Sequence, residues 1–456
     1  MQTQMSYYST NLKANPVSFG EALLKGLAPD RGLFMPERIP TISPEEIAGF
    51  SDKEYYEIAF AIAKRFLGGQ VSDDRLEALA KDSYNYPVPL ENVYENKYVM
   101  RLDQGPTASF KDFAARMMGR LMQYFISIEK RELLILTATS GDTGSAIANA
   151  FYGLDNIKVV VLFPGNEVTD RQRKQMTTLG RNVEIISIEG KFDDCQALVK
   201  RAFSDEDLDY LNLSSANSIN IGRLIPQVVY YFYSFAKLRS GSPDDTVIFS
   251  VPSGNFGDMM GGLIAKKMGL PVRKYLIATN ENDEFPTFMA TGDYSKIEPS
   301  KNCLSSAMNV GHPSNLSRVV ALYDGVMDET GHISREPDLA AMRNDMYAVS
   351  ISDAETKATI KKAYDDHKLL LEPHGSVGWA GLQKYLAENS DSDTADQLCI
   401  SLETAHPAKF PETIREILDI DPELPVSLEG IEDKMENFVT LENSYEAFKD
   451  FLKRSY

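Results

Sequence analysis

The chain reads as an α/β protein built on open, mostly parallel sheets, and three observations predict this. Seven short apolar runs, at 133–139, 158–164, 183–188, 246–252, 274–279, 348–352 and 397–402, alternate with stretches of helical periodicity. Two of the runs, LLILTAT and TVIFSVP, lead directly into glycine-rich turns and then into helical sequence, the order of a βα unit. The length, 456 residues, is enough for two or three domains with a large buried core.

Taken in order, the first ninety or so residues read as helical segments broken by Pro and Gly, with an irregular, turn-rich stretch at 29–40. One helix is expected at 53–67 and another from Arg75. No polar or low-complexity linker separates this part from the rest of the chain. Phe110, Phe113, Ala114, Met117, Met118, Leu121, Met122 and Phe125 then recur at i, i+3, i+4 spacing, so a long amphipathic helix begins close to Lys111. Beyond it the βα pattern runs to the last apolar run, and no internal repeat is visible.

Apolar residues at 43% and charged residues at 25% describe an ordinary globular protein. A net charge of −19 argues against a general grip on nucleic acid, which is held by clustered Lys and Arg. No stretch approaches the roughly 18 apolar residues of a membrane span, and the first residues have neither a basic nor an apolar leader region, so the chain is read as cytoplasmic and unattached to membrane. Cys195, Cys303 and Cys399 lie far apart and outside any CxxC pattern, and the five histidines show no HExxH spacing, so no metal site is expected.

Chemistry is expected where parallel strands end and helix N-termini begin, because backbone N–H groups are unpaired there. SGNFGDMMGG (253–262) can curl its N–H groups around a phosphate, although on its own the pattern is equally good turn chemistry. GPTASFKDFAAR (105–116) places Lys111 near a positive helix end and between Phe110 and Phe113, which lowers an amine's pKa and suits a nucleophile. On this segment alone a solvated lysine is the commoner reading. SSANSINIGRL (214–224) gathers hydroxyls, amides and Arg223 before an apolar helix, a phosphate-binding set or simply a capped helix start. The absence of GK[ST] at P-loop spacing removes the nucleotide triphosphatase reading, and the absence of GxGxxG followed by an acidic residue weakens the dinucleotide one.

In this order, LLKGLAPDRGLFMPE, GPTASFKD, TSGDTGSA, NSINIGR, PSGNFGD, SSAMNVGHPSN, EPHGSVGWAG and SLETAHPAKFPE span nearly the whole chain and resemble threonine synthases, pyridoxal-phosphate enzymes of fold type II. The resemblance implies two open α/β domains with the cofactor between them and a mainly helical N-terminal domain. The divisions expected are 1–95 for the N-terminal domain, 96–215 for a smaller α/β domain with the lysine, and 216–456 for a larger one with the phosphate loop.

The resemblance further implies that Lys111 holds pyridoxal 5'-phosphate as a Schiff base and then shuttles protons. Gly254, Asn255, Phe256 and Gly257 would cup the cofactor phosphate, and Thr404 would meet the pyridine nitrogen. Asp142 would face the ring oxygen, where two anions would have to share a proton. Thr139 and Ser140 would take the substrate carboxylate, and Thr143, Asn217, Ser218, Asn220 and Arg223 the substrate phosphate.

The reaction implied is conversion of O-phospho-L-homoserine and water to L-threonine and phosphate by γ-elimination and β-addition, a lyase step of threonine biosynthesis. A fold type II phospholyase releasing a 2-oxo acid would use nearly the same residues, and a catalytically silent relative would be a binding module. Asn309 stands where the family pattern leads one to expect Asp, and His374 and His406 suit pocket or scaffold equally. The sequence leaves monomer and homodimer both open.

Overall fold

The computed structural model describes residues 5–139, 141–165, 168–389 and 396–456. All seven predicted strands form. Leu133–Ala138, Ile157–Pro164, Val183–Glu189 and Leu213–Ser214 join Val439–Glu442 in a parallel five-stranded sheet, with Leu133–Ala138 beside the short edge strand. The second sheet has six strands in the order Met346–Ser350, Val272–Thr279, Val247–Pro252, Leu398–Glu403, Lys97–Arg101 and Leu90–Tyr94. It is parallel except at the last strand, which pairs antiparallel with its neighbour. Every residue of Leu133–Ala138 and Val247–Pro252 is buried, which is why these runs are continuously apolar rather than alternating.

The pairing departs from the contiguous division expected from the sequence. Lys97–Arg101, inside 96–215, belongs to the larger sheet, while Val439–Glu442 and the helix Tyr445–Ser455 return from the far end of the chain to the smaller one. The reason is burial: Phe448 and Leu452 fill the face of the smaller sheet beside Ile186, Leu198 and Leu208.

The N-terminal region is mainly helical, with Tyr55–Leu67 and Asp73–Ser83 close to the expected positions. It also carries a small antiparallel sheet of Val17–Ser18, Ser6–Ser9 and Phe34–Pro36 that the Pro- and Gly-rich sequence concealed. Asp30 organises its turn by accepting from Ser9 Oγ, the N–H groups of Lys13 and Ala14, and the N–H of Gly32.

The helix Lys111–Glu129 is more than amphipathic, since twelve of its nineteen residues are buried. It packs against the helices Phe19–Lys25, Asp73–Ser83, Asp142–Phe151 and Ile221–Leu224, so the N-terminal region and the α/β body share one apolar core. Among the described residues no helix is long and apolar enough to cross a membrane.

Arg318, fully buried on the helix Leu316–Leu322, stitches these parts together. Its guanidinium donates to the carbonyls of Phe34, Ser218 and Ile219 and to Asn315 Oδ1, at 2.7 to 3.2 Å. Burial lowers its pKa to about 9, and the carbonyl dipoles substitute for a counter-ion. An ammonium cannot span this planar set, so Arg318→Lys should cost about 3 kcal/mol through buried carbonyls left unpaired. Thermal unfolding checks this, as a Tm lowered by several degrees.

Candidate active site

Four strand ends of the two sheets supply the site: the loops after Lys97–Arg101, Leu133–Ala138, Val247–Pro252 and Leu398–Glu403. The first and last are zipped together. Phe110 N–H donates to Thr404 O at 2.8 Å, His406 N–H donates to Ala108 O at 3.0 Å, and Ser109 and Ala405 form an antiparallel bridge. Thr107 N–H and Oγ1 donate to the Asp112 carboxylate at 2.8 and 2.6 Å, closing the loop onto the start of the next helix. Gly105 is required there, because a Cβ would fall 2.4 Å from Asp112 Oδ2.

Lys111 is the first residue of its helix, as the sequence arithmetic placed it, and its side chain is only 14% exposed. Its Nζ lies 4.7 Å from the centre of the Phe110 ring. Burial lowers its pKa, with Lys409 and Arg223 acting in the same direction and Asp142 and Asp258 opposing. Asp258, in the first turn of the helix Gly257–Lys267, is itself pushed up to about 6 by burial.

Asp142 opens the helix Asp142–Phe151 and is buried. Its Oδ1 meets Lys409 Nζ at 2.6 Å and accepts from Gln172 Nε2 at 3.0 Å, while Oδ2 lies 3.9 Å from Lys111 Nζ. Burial works against its charge, but Lys409, Lys111 and His374 hold it well below the usual carboxylate range. A buried lysine, unassigned on sequence, thus neutralises this carboxylate. Gln172 was also missed; its TDRQ pattern signals only a capping box, which Thr169 and Gln172 indeed form.

The glycine turn is built for bare backbone. Phe256 has φ 62° and sends its ring against Phe285, and a Cβ at Gly254 would come within 2.9 Å of Met308 Cα and 3.0 Å of Ala307 O. Asn255 is fixed from both ends, its Oδ1 accepting from Ser314 Oγ at 3.0 Å and its carbonyl from Asn315 Nδ2 at 2.9 Å. Among the described residues the N–H groups of Gly254, Asn255, Phe256 and Gly257 have no acceptor. Ser218 borders this turn, its Cβ 3.6 Å from where a Cβ on Gly257 would stand.

Arg223 is a buried guanidinium with no carboxylate at ion-pair distance among the described residues. One Nη donates to Ala216 O at 2.8 Å, Nε has no partner, and burial lowers its pKa to about 10. Asn217 Oδ1 is likewise buried and unpaired. Asn220 differs from the expectation of a free donor: its amide is spent on Leu23 O, Ser215 O and the N–H of Gly222, so it shapes the loop. Thr143, half-buried, follows Asp142 in the same helix turn. Thr139 Oγ1 accepts from the N–H groups of Gly141 and Gly144 and so shapes its own loop; Ser140 lies outside the described residues.

Thr404 Oγ1 reaches Glu372 Oε1 at 3.4 Å. Glu372 caps the helix Pro373–Glu388 and accepts from His374 Nδ1 at 2.5 Å, and His374 Nε2 accepts from Ala307 N–H at 3.0 Å. His374 thus ties the loop facing Gly254. Asn309 Oδ1 accepts from Asn280 Nδ2 and the N–H of Cys303, and His406 Nδ1 from the N–H of Ala408; both are scaffold contacts.

Comparison with known proteins agrees with this geometry. A family profile described as pyridoxal-phosphate dependent enzyme matches residues 86–400, one described as threonine synthase N terminus matches 6–84, and one described as threonine synthase, C-terminal, matches 376–452. The chain is 39% identical over 440 residues to a threonine synthase of Haemophilus influenzae, covering 95% of this chain and 97% of that one. A solved pyridoxal-phosphate-bound threonine synthase from Brucella melitensis superposes with a TM-score of 0.91 at 35% identity, covering 99% of both chains. The yeast threonine synthase structure does so with 0.90 at 32% identity, covering 98% of both.

Among the described residues the site fits such a cofactor: four unused N–H groups on a turn that excludes side chains, a largely buried lysine, and an Arg223 Nε with no partner. Gly254→Ala should force Met308 and Ala307 aside and spoil the turn. Dialysed protein should then retain much less pyridoxal phosphate than the native chain, read by absorbance, while circular dichroism stays native.

Proposed function

From the premise that the chain belongs to the threonine synthase family of pyridoxal-phosphate-dependent lyases, we propose that Lys111 carries the cofactor and that the Arg223 loop holds the substrate phosphate. The reaction is conversion of O-phospho-L-homoserine and water to L-threonine and inorganic phosphate. One observation carries the residue assignment: among the described residues a largely buried lysine, a glycine turn with four unused N–H groups and a buried arginine lacking a carboxylate gather together, Arg223 and Asp258 of the helix after that turn both acting on the charge of Lys111.

When bound, pyridoxal phosphate supplies the electron sink that acidifies first the α and then the β carbon of the substrate. Gly254, Asn255, Phe256 and Gly257 would hold its phosphate by backbone N–H groups, with the helix Gly257–Lys267 adding its positive end. Thr404 would present its hydroxyl to the ring nitrogen. Lys111, its proton loosened by burial, takes and returns protons at the reacting carbons.

Arg223 would bind the substrate phosphate as a charge-assisted fork, with Thr143, Asn217 and Ser218 as neutral partners and Asn220 keeping the loop in shape. The γ C–O bond breaks and phosphate leaves; water then adds OH at the β carbon and a proton is returned to the γ carbon. Thr139 would turn its loop toward the substrate carboxylate, with Ser140 as the expected direct contact. We read the setting as cytoplasmic, supported by three cysteines that form no disulfide among the described residues.

Incubation with O-phosphohomoserine should release threonine and phosphate in equal amounts; 2-oxobutyrate with ammonia would instead identify a phospholyase. Borohydride reduction followed by peptide mapping should place a pyridoxyl group on Lys111, and Lys111→Ala should abolish turnover in a folded chain. Arg223→Ala should lower kcat/KM roughly 10- to 150-fold, the loss of one charge-assisted contact.

A further inference from the structure

A second lysine stands against the first. Lys409 ends the short helical turn Pro407–Lys409, and its side chain has no exposed surface. Besides meeting Asp142 Oδ1 at 2.6 Å, its Nζ donates to Thr107 O at 2.9 Å, in the loop that leads into Lys111. One carboxylate thus lies between two lysines and is committed to the one farther from the helix start. Its contact with Lys111, at 3.9 Å, is beyond hydrogen-bond distance.

We propose that Lys409 is a positioning residue for the reaction: by engaging Asp142 it keeps that carboxylate from closing onto Lys111, and so leaves the Lys111 amine free to attack a carbonyl carbon, forming a C=N bond as the C–O bond breaks and the oxygen leaves as water. The inference rests on Lys111 being the cofactor-carrying lysine. Such attack needs the nitrogen lone pair, so an amine locked in a buried ion pair is inert.

The charges around both groups make the effect directional. Lys111 is faced by Asp142 and Asp258, which favour its charge, and by Lys409 and Arg223, which oppose it. Asp142 is faced by Lys409, Lys111 and His374 and is hydrogen-bonded by Gln172. Removing the charge of Lys409 deletes a cation that opposes protonation of Lys111, and it leaves Lys111 as the remaining lysine for Asp142. Both consequences raise the Lys111 pKa. A lysine that merely pins the Thr107 carbonyl would change stability and leave that titration unmoved.

The full chain, stripped of cofactor, tests this through the rate at which acetic anhydride acetylates Lys111 as a function of pH, followed by mass spectrometry of its peptide. Lys409→Met should move the midpoint up by about one pH unit or more, slowing acetylation about tenfold at neutral pH. Lys409→Arg should stay near the native midpoint, because the charge is kept. Asp142→Asn should move it the other way, since a favourable anion is lost beside two remaining cations.

An unchanged midpoint in Lys409→Met overturns the proposal, as does an unchanged or raised midpoint in Asp142→Asn, which decides the matter if Lys409→Met fails to fold. Acetylation of the stripped chain reads the Lys111 amine whether or not that residue is the one that binds cofactor. A negative result with a pyridoxyl group mapped to Lys111 therefore refutes the role of Lys409 alone, whereas an unlabelled Lys111 refutes the functional reading.

Discussion

Two main-chain hydrogen bonds, Phe110 N–H to Thr404 O and His406 N–H to Ala108 O, set the geometry on which the site depends. They join segments about three hundred residues apart in sequence and hold the approach to Lys111 against the approach to Lys409. Side-chain contacts result from that register. With the backbone zipped, the Thr107 carbonyl meets the Lys409 ammonium, Thr107 itself closes onto Asp112, and Asp142 is left between two lysines from different strand ends. Backbone pairing of this kind is independent of side-chain identity, so it can keep its shape while the chemistry around it is tuned.

The charge arrangement has a second feature. Arg223 and Arg318 are both buried with no carboxylate at ion-pair distance among the described residues, yet they serve different ends. Arg318 is satisfied by carbonyls and an amide and acts as a rivet between the N-terminal strand Phe34–Pro36, the loop at 217–220 and the turn that fixes Asn255. Arg223 keeps an unpaired Nε in the same neighbourhood. A buried cation with unused donors is costly in the unliganded protein and is repaid by an anionic ligand, whereas one saturated by carbonyls contributes rigidity.

Much of this was legible in the sequence, for physical reasons. Strands such as Val247–Pro252 are buried on both faces and so appear as continuous apolar runs, and Lys111 was placed at the helix start by the spacing of Phe113, Met117, Leu121 and Phe125. The glycine turn was visible because few other sequences allow a bare backbone. What escaped was set by long-range pairing. The edge hairpin Leu90–Tyr94 and Lys97–Arg101 is polar and short, and the return of Val439–Glu442 to the smaller sheet comes from packing that no local pattern encodes. Lys409 lay inside a recognised motif, but a lysine's partner is a fact of three dimensions. Asn220 failed in the opposite sense, since a capping amide and a phosphate-binding amide look alike until its three partners are seen.

The place of Leu398–Glu403 in the larger sheet bears on how the protein is made. The strand lies between Val247–Pro252 and Lys97–Arg101, so it is the bridge that joins the two parts of that sheet. During synthesis the ribosome must deliver roughly three hundred residues after Lys97–Arg101 before the bridge exists, and Thr404 and Lys409 emerge just after it. Nascent chains therefore hold Lys111 in an incomplete sheet until this strand has emerged, and the coenzyme can meet a finished pocket only after that point.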